Sequence, residues 1–280
     1  MEEAITLGTA GLVGRMHANG EQQRRVLSAL LQESGKLAME MGSRVGKLKS
    51  DGTLVTQADR ACEVLLATGL EKLFPADAIV GEEGHESGER AGRVWYVDPI
   101  DGTQAFREGL AYWGPSIGAV DKDGPLIGAS HFPMISQTWF FMRGQGAYLD
   151  GVRLERLQDR PVDRQSSAFM PSGWFRYFDL RWPGRVRNLG SISSHLALVA
   201  GGGVSAAFIP AGWKRWDVAA GLGLLAEVNA WASPLSGDAY GSPLDAVHSG
   251  GKPFVVGSQQ AALQLKAGLS FHGSRNLEGR

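Results

Sequence analysis

Three separated acidic segments carry the chemistry this chain can perform. Gly81-Glu82-Glu83-Gly84 follows an apolar stretch, and Asp98-Pro99-Ile100-Asp101-Gly102-Thr103 follows Val94-Trp95-Tyr96-Val97. Trp216-Asp217-Val218-Ala219-Ala220-Gly221 opens a run of small residues. Carboxylates at strand ends can converge on a hard divalent cation. Mg²⁺ is typically held by few carboxylates, with water and substrate phosphate completing its octahedron. In the middle segment Pro99 restricts the backbone so that Asp98 and Asp101 can face one ion, with the Ile100 carbonyl between them. Gly102 permits close backbone approach, and the free N–H groups of a short helix starting near Thr103 can cradle a phosphate. An isolated Asp-Gly would read as a capped turn, whereas the full six-residue string after a strand points to a site. Asp217 alone reads as a helix N-cap, and beside the other two segments it becomes a candidate ligand.

The hydrophobic period supplies rigid elements to bring these segments together. From about residue 22 to 41, Val26, Leu27, Ala29, Leu30, Leu37 and Met41 recur at helical spacing. A second helix is predicted over 58–73, with Ala61, Val64, Leu65 and Leu70 on one face and Phe74-Pro75 ending it. Strands are predicted at 78–81, 94–97, 116–120, 126–132 and 138–143, with hairpin turns at 121–124 and 150–151. Asp121 and Asp123 lack the downstream ligands of a calcium loop and read as a solvated turn. Polar, Arg-rich sequence from 154 to 187 separates the two halves, read as 1–155 and 156–280 with a soft boundary at 153–164. In the second half, helices are predicted at 191–200 and 218–228, and strands at 205–209 and 254–257. This mixture argues for α/β or α+β layers.

Composition narrows the function further. With 280 residues and 43% hydrophobic content the chain can fill a core. Its 39 glycines make it turn-rich without a collagen period. Lys and Arg total 28 against 29 Asp and Glu, so no general basic field draws nucleic acid or an anionic membrane, and a phosphate-bearing ligand must be held locally. Trp174, Trp182, Trp213, Trp216 and Trp231 lack a basic stripe and read as packing. Cys62, the sole cysteine, excludes an intramolecular disulfide and reads as buried on a helix face. His17, His85, His131, His195, His248 and His272 lack the short-range pairing of a zinc hydrolase and read as solvated or structural. The acidic N-terminus does not read as a secretory leader, and the uncharged stretch 196–213 is broken by Gly201, Gly202, Gly203, Pro210 and Gly212. The expectation is a cytoplasmic protein with a small phosphorylated metabolite as partner and neither nucleic acid nor membrane.

Leu54-Val55-Thr56-Gln57-Ala58-Asp59, Gly81-Glu82-Glu83, the string from Asp98 to Thr103 and that from Trp216 to Gly221 resemble, in order and spacing, the inositol monophosphatase family. These are Mg²⁺-dependent, lithium-sensitive phosphomonoesterases, with fructose-bisphosphatase, histidinol-phosphatase and phosphoadenosine-phosphate phosphatase branches. The resemblance runs from about Lys49 to Gly221 and implies a layered αβαβα sandwich. Its α+β N-terminal half and α/β C-terminal half would meet at the active site. It also implies a homodimer, and two or three Mg²⁺ per site. By resemblance, Glu82, Asp98 and the Ile100 carbonyl would hold the first ion and Asp98, Asp101 and Asp217 the second, with Glu82 contributing to a weaker third. Glu82 and Thr103 would orient a metal-activated water, supported by a relay of Asp59 and the Thr103 hydroxyl. The N–H groups of Gly102 and Thr103 would hold phosphate oxygens. Direct attack needs no phosphoenzyme, and activity should rise toward neutral or alkaline pH. Asp-Gly-Thr also occurs in aspartyl-phosphate phosphatases, but there a single residue separates the two aspartates, and here there are two.

The alcohol is less constrained. The family places substrate contacts near a second-half Gly-Ser or Gly-Thr, here Gly190-Ser191 after Arg187. Inositol-specific members carry an acidic residue about seven positions before the last metal aspartate, where this chain has Pro210. Lys214 and Arg215 could instead meet a second anionic group, as a bisphosphate or nucleotide would require. A non-catalytic regulatory, RNA-binding or protein-binding role would be favoured by lost ligands or a basic face, and the sequence displays neither.

Overall fold

The computed structural model describes residues 20–42, 46–48, 54–90 and 92–272. The reading of the N-terminus, His17 and Lys49 therefore lie outside the described residues. Helical spacing in the first half becomes α1 (Gly20–Met41), which turns Leu27 and Leu31 fully inward. A short ribbon of β1 (Gly46–Leu48) and β2 (Leu54–Thr56) leads into α2 (Gln57–Leu73). That helix starts at a reciprocal cap between Thr56 and Asp59 and stops at Phe74, ahead of Pro75.

An eight-stranded sheet follows, built from β3 (Ala78–Gly81), β4 (Glu86–Ser87), β5 (Val94–Asp101), β6 (Gly114–Asp121), β7 (Gly124–Phe132), β8 (Gln137–Met142), β9 (Gly146–Leu149) and β10 (Val152–Arg153). Its order is β10-β9-β8-β7-β6-β5-β3-β4, antiparallel except where β3 pairs with β5. The short α3 (Thr103–Glu108) leaves the end of β5. Both hairpin turns stand as predicted, with Asp121 paired to Gly124 and Leu149 to Val152. The Asp121 carboxylate accepts the Asp123 N–H and the Arg143 guanidinium, as a structural turn does.

The second half forms a mixed five-stranded sheet in the order β13-β11-β14-β16-β15. Its strands are β11 (Ser167–Phe169), β13 (Arg185–Arg187), β14 (Ala206–Ile209), β15 (Trp231–Pro234) and β16 (Phe254–Gly257). Three helices join it: α4 (Ile192–Ala200), α5 (Arg215–Glu227) and α6 (Gln259–Gly268). A ribbon of β12 (Phe178–Leu180) and β17 (Leu269–Phe271) covers one margin.

Side-chain alternation along the strands separates the layers. Trp95 and Val97 face α1 and α2 in one cluster, while Val94 and Tyr96 on the same strand face α4 and α5 in another. On β14, Ala207 and Ile209 join the latter cluster, and Ala206 and Phe208 pack against α6. The result is a layered αβαβα sandwich whose middle helices are covered on both sides.

The polar stretch 154–187 holds three short strands that periodicity does not reveal, since three residues cannot display an alternation. The stretch 196–213 divides into the end of α4, a glycine turn and β14, and among the described residues no helix is long and apolar enough to cross a membrane. Helix α5 starts three residues before its predicted 218, because every residue from Val218 to Leu225 is buried and no polar face marks its phase.

Candidate metal centre

Residues three apart on a regular strand point to opposite faces, and β5 escapes that rule by a bulge. Asp98 pairs with Ser116 and Asp101 with Gly114, so β5 has one residue more than β6 between these pairs. The extra residue turns both carboxylates to the same side. The strand thus runs through Pro99 to Asp101 where the sequence predicts it to end at 97. The Asp98 Oδ1 accepts the Ile100 N–H at 3.0 Å, fixing the bulge from within.

Asp217 reaches the same place from the other half. It is the third residue of α5 and not its N-cap, which is Lys214. Its Oδ2 accepts the Lys214 N–H at 2.6 Å. One carboxylate oxygen from each of Asp98, Asp101 and Asp217 lies within 4.8 Å of the other two. Glu82, directly after β3, hydrogen-bonds the Asp98 carboxyl, and its own N–H donates to Val97 O at 3.0 Å. Burial pushes Asp98 well above the usual carboxylate range, and Glu82, Asp101 and Asp217 add to the shift. Burial also raises Asp217, with Asp101 and Glu82 adding to it and the Lys214 N–H and ammonium opposing. Asp101 is raised by burial against the pull of Ser191 and Ser193. Carboxylates that repel one another in a dry site, beside the Ile100 carbonyl, form an all-oxygen donor set that fits a hard divalent cation.

Thr103 opens α3 beside this cluster. Its hydroxyl lies 3.1 Å from both Asp59 Oδ1 and Ile100 O, so its single proton can be donated to either acceptor. Asp59 is fully buried on α2 and accepts the Thr56 N–H and hydroxyl on its other oxygen at 2.7 and 2.5 Å. Gly102 has φ +87°, and a Cβ there would stand 3.0 Å from the Ser191 Cβ and 3.1 Å from Gly190 O. Only glycine therefore lets the second-half loop close over the start of α3.

Of the remaining candidates, Ser191 is buried and occupied: it caps α4 and donates to Asp101 Oδ2 at 2.6 Å. Gly190 is exposed on the loop above α3, Lys214 is exposed one turn before Asp217, and Arg187 is exposed at the end of β13. Arg215 donates to the Tyr96 hydroxyl at 2.9 Å and covers its ring.

Two supporting residues, Ser193 and Glu63, escaped the sequence reading, and a third, His195, which the sequence reads as solvated or structural, is structural. Ser193 donates its N–H to Asp101 Oδ2 at 2.6 Å. The His195 Nε2 accepts the Leu189 N–H at 2.9 Å, and its ring stacks on Phe169, holding the loop before Gly190. Glu63 grips the turn that carries Glu82. For Glu63 a signal existed, since it lies one helical turn from Asp59 on an otherwise apolar face.

A model described as the inositol monophosphatase family matches residues 17–265. The chain belongs to that family. Similar proteins include a histidinol-phosphatase from Mycobacterium tuberculosis, 37% identical over 61% of this chain and 70% of that one, and an inositol-1-monophosphatase from Rhizobium meliloti, 31% identical over 83% and 88%. The solved structure of an inositol monophosphatase from Thermotoga maritima matches with a TM-score of 0.73 at 26% identity, covering 85% of this chain and 93% of that one. The protein is a phosphoric monoester hydrolase of a metal-dependent family.

Proposed function

We propose that this enzyme hydrolyses a small phosphate monoester, an inositol-phosphate-like, sugar or amino-alcohol phosphate, by direct attack of water, with Mg²⁺ as its metal. The observation that carries this reading is the convergence of Asp98, Asp101 and Asp217 from two halves of the chain onto one point. Glu82, Asp98, Asp101, Asp217 and the Ile100 carbonyl would hold the ions. Bound Mg²⁺ supplies Lewis acidity that activates water, neutralises phosphoryl oxygens and steadies the leaving alkoxide.

The chain's own groups complete the reaction. When the Thr103 hydroxyl donates to Asp59 Oδ1, the lone pairs of its Oγ1 are free to accept a hydrogen bond from the attacking water. Glu82 would accept the hydrogen bond of the water's other O–H, so the water is aimed along one line. The N–H groups of Gly102 and Thr103 have no partner within α3 and are available to phosphate oxygens. Asp59, buried and held by Thr56, keeps the relay in place.

Lys214 favours a bisphosphate branch as the second reading. Both cations are exposed, and Arg215 is engaged with the Tyr96 hydroxyl and ring, which makes Lys214 the one to test. Phosphate release with Mg²⁺ over inositol phosphates, fructose bisphosphate, histidinol phosphate and phosphoadenosine phosphate tests both. Release on at least one, abolished in Asp98→Asn, is expected, and silence across the panel overturns the enzyme reading. Lys214→Ala should raise KM several-fold for a bisphosphate and little for a monophosphate, and equal losses on both overturn the second anion contact. Family likeness supports a cytoplasmic homodimer, which fractionation and light scattering check.

A further inference from the structure

We propose that Glu63 is a positioning residue for the metal centre, holding the backbone on which Glu82 is presented. The inference rests on the reading of Glu82 as a metal ligand. Glu63 lies on α2, 3% exposed, and its two oxygens accept two backbone N–H groups of the turn after β3. Oε2 takes the Glu83 N–H at 2.7 Å and Oε1 the His85 N–H at 2.9 Å. The peptide group preceding Glu82 is tied to β5 through Val97 O, next to Asp98, and the peptide group following it is tied to Glu63. The backbone on either side of Glu82 is therefore pinned, which limits where its carboxylate can swing. Gly81 makes this possible: a Cβ there would stand 2.3 Å from Glu63 Oε2, inside the space the clamp occupies.

The same face of α2 serves the site twice. Asp59 steadies Thr103 at the end of β5, and Glu63, one turn later, steadies Glu82 at the end of β3. One rigid helix thus sets the spacing between the water-orienting groups and the cluster. Groups that orient metal ligands in this way commonly contribute about 10–100-fold in metal affinity or activity.

Glu227 provides an internal control. At the far end of α5 it accepts the Gly144 and Gly146 N–H groups, both at 2.7 Å, in the same two-pronged manner but on a hairpin that carries no site residue. The test is calorimetric titration of the metal-free full chain with MgCl₂ alone, beside thermal melting, for the wild type, Glu63→Gln, Glu82→Gln and Glu227→Gln. Glu63→Gln should weaken Mg²⁺ binding by about tenfold or more, and Glu227→Gln should lower the melting temperature while binding Mg²⁺ as the wild type does. Unchanged binding in Glu63→Gln beside weakened binding in Glu82→Gln overturns this inference alone. An equal loss in Glu227→Gln overturns it as well, because the effect would then be general destabilisation. Wild-type binding in Glu82→Gln overturns the metal role of Glu82 and this inference with it. If Glu63→Gln does not fold, Glu63→Asp takes its place under the same criteria, and failure of both to fold assigns Glu63 to folding and overturns the positioning role.

Discussion

The two halves deliver their groups to the centre by different physical means. In the N-terminal half, Asp98 and Asp101 ride on a strand paired along both edges, and a single bulge decides where they point. In the C-terminal half, everything near the centre comes from the first turns of helices: Asp217 from α5, and Ser191 and Ser193 from α4. The strand supplies precise placement and concentrates negative charge. The helix starts supply N–H donors and the positive end of their dipoles, which make that charge tolerable. The first half therefore supplies most of the negative charge that draws a cation, and the second adds Asp217 to it while bringing the donors that limit the repulsion as the centre forms.

Asp98→Asn breaks the strand side of this contrast and should have the largest effect. Phosphate release should fall by more than the about 10–100-fold typical of groups that merely orient a ligand. The metal-free protein should melt at a higher temperature, because Asp98 is raised by burial and by Glu82, Asp101 and Asp217. A metal-free melting temperature that drops would show that the cluster is not under repulsion.

Ser191→Ala probes the helix side. It removes a 2.6 Å donor from Asp101 and the cap of α4 at once. Activity should fall by about 10–100-fold and stability by about 1 kcal/mol, with Ser191→Thr restoring most of both. Kinetics and denaturant melts on the same samples separate the two losses, and an unchanged activity would confine Ser191 to capping.

The smallest effect on activity at neutral pH is expected from His195→Leu, whose value lies in its pH dependence. Burial pushes the His195 imidazole down to about 3, whereas in the unfolded chain it takes up a proton near pH ~6.5. Between these values the unfolded state binds more protons, so stability falls as pH drops from about 6.5 toward 3. Melting temperatures from pH 7 to 5 should decline less steeply in His195→Leu than in the wild type, and parallel declines would remove His195 as a source of acid sensitivity.

How far the sequence reached differs between the halves for the same reason. Helices α1 and α2 each bury one face, so their period shows where they lie, although Val64, read onto that face, is exposed; the long strands of the first sheet are buried on both sides and stand out as apolar runs between turns. Helix α5 is covered by both sheets, and its run of buried small residues hides its start. Cys62 was legible as a packing residue and is fully buried. The strands at 167–169, 178–180 and 185–187 were not legible, being too short to carry a pattern.

The sequence by itself singled out the groups proposed to carry the chemistry, because Glu82, Asp98, Asp101, Thr103 and Asp217 occur in local strings whose residue types have few other uses. Only the tertiary structure decided how they are held. The bulge that turns Asp101 beside Asp98, the closure of Ser191 over Gly102, and the grip of Glu63 on the turn of Glu82 all join segments far apart in the chain or depend on strand register. Local spacing specifies neither, whereas packing of helices onto both faces of a sheet specifies both.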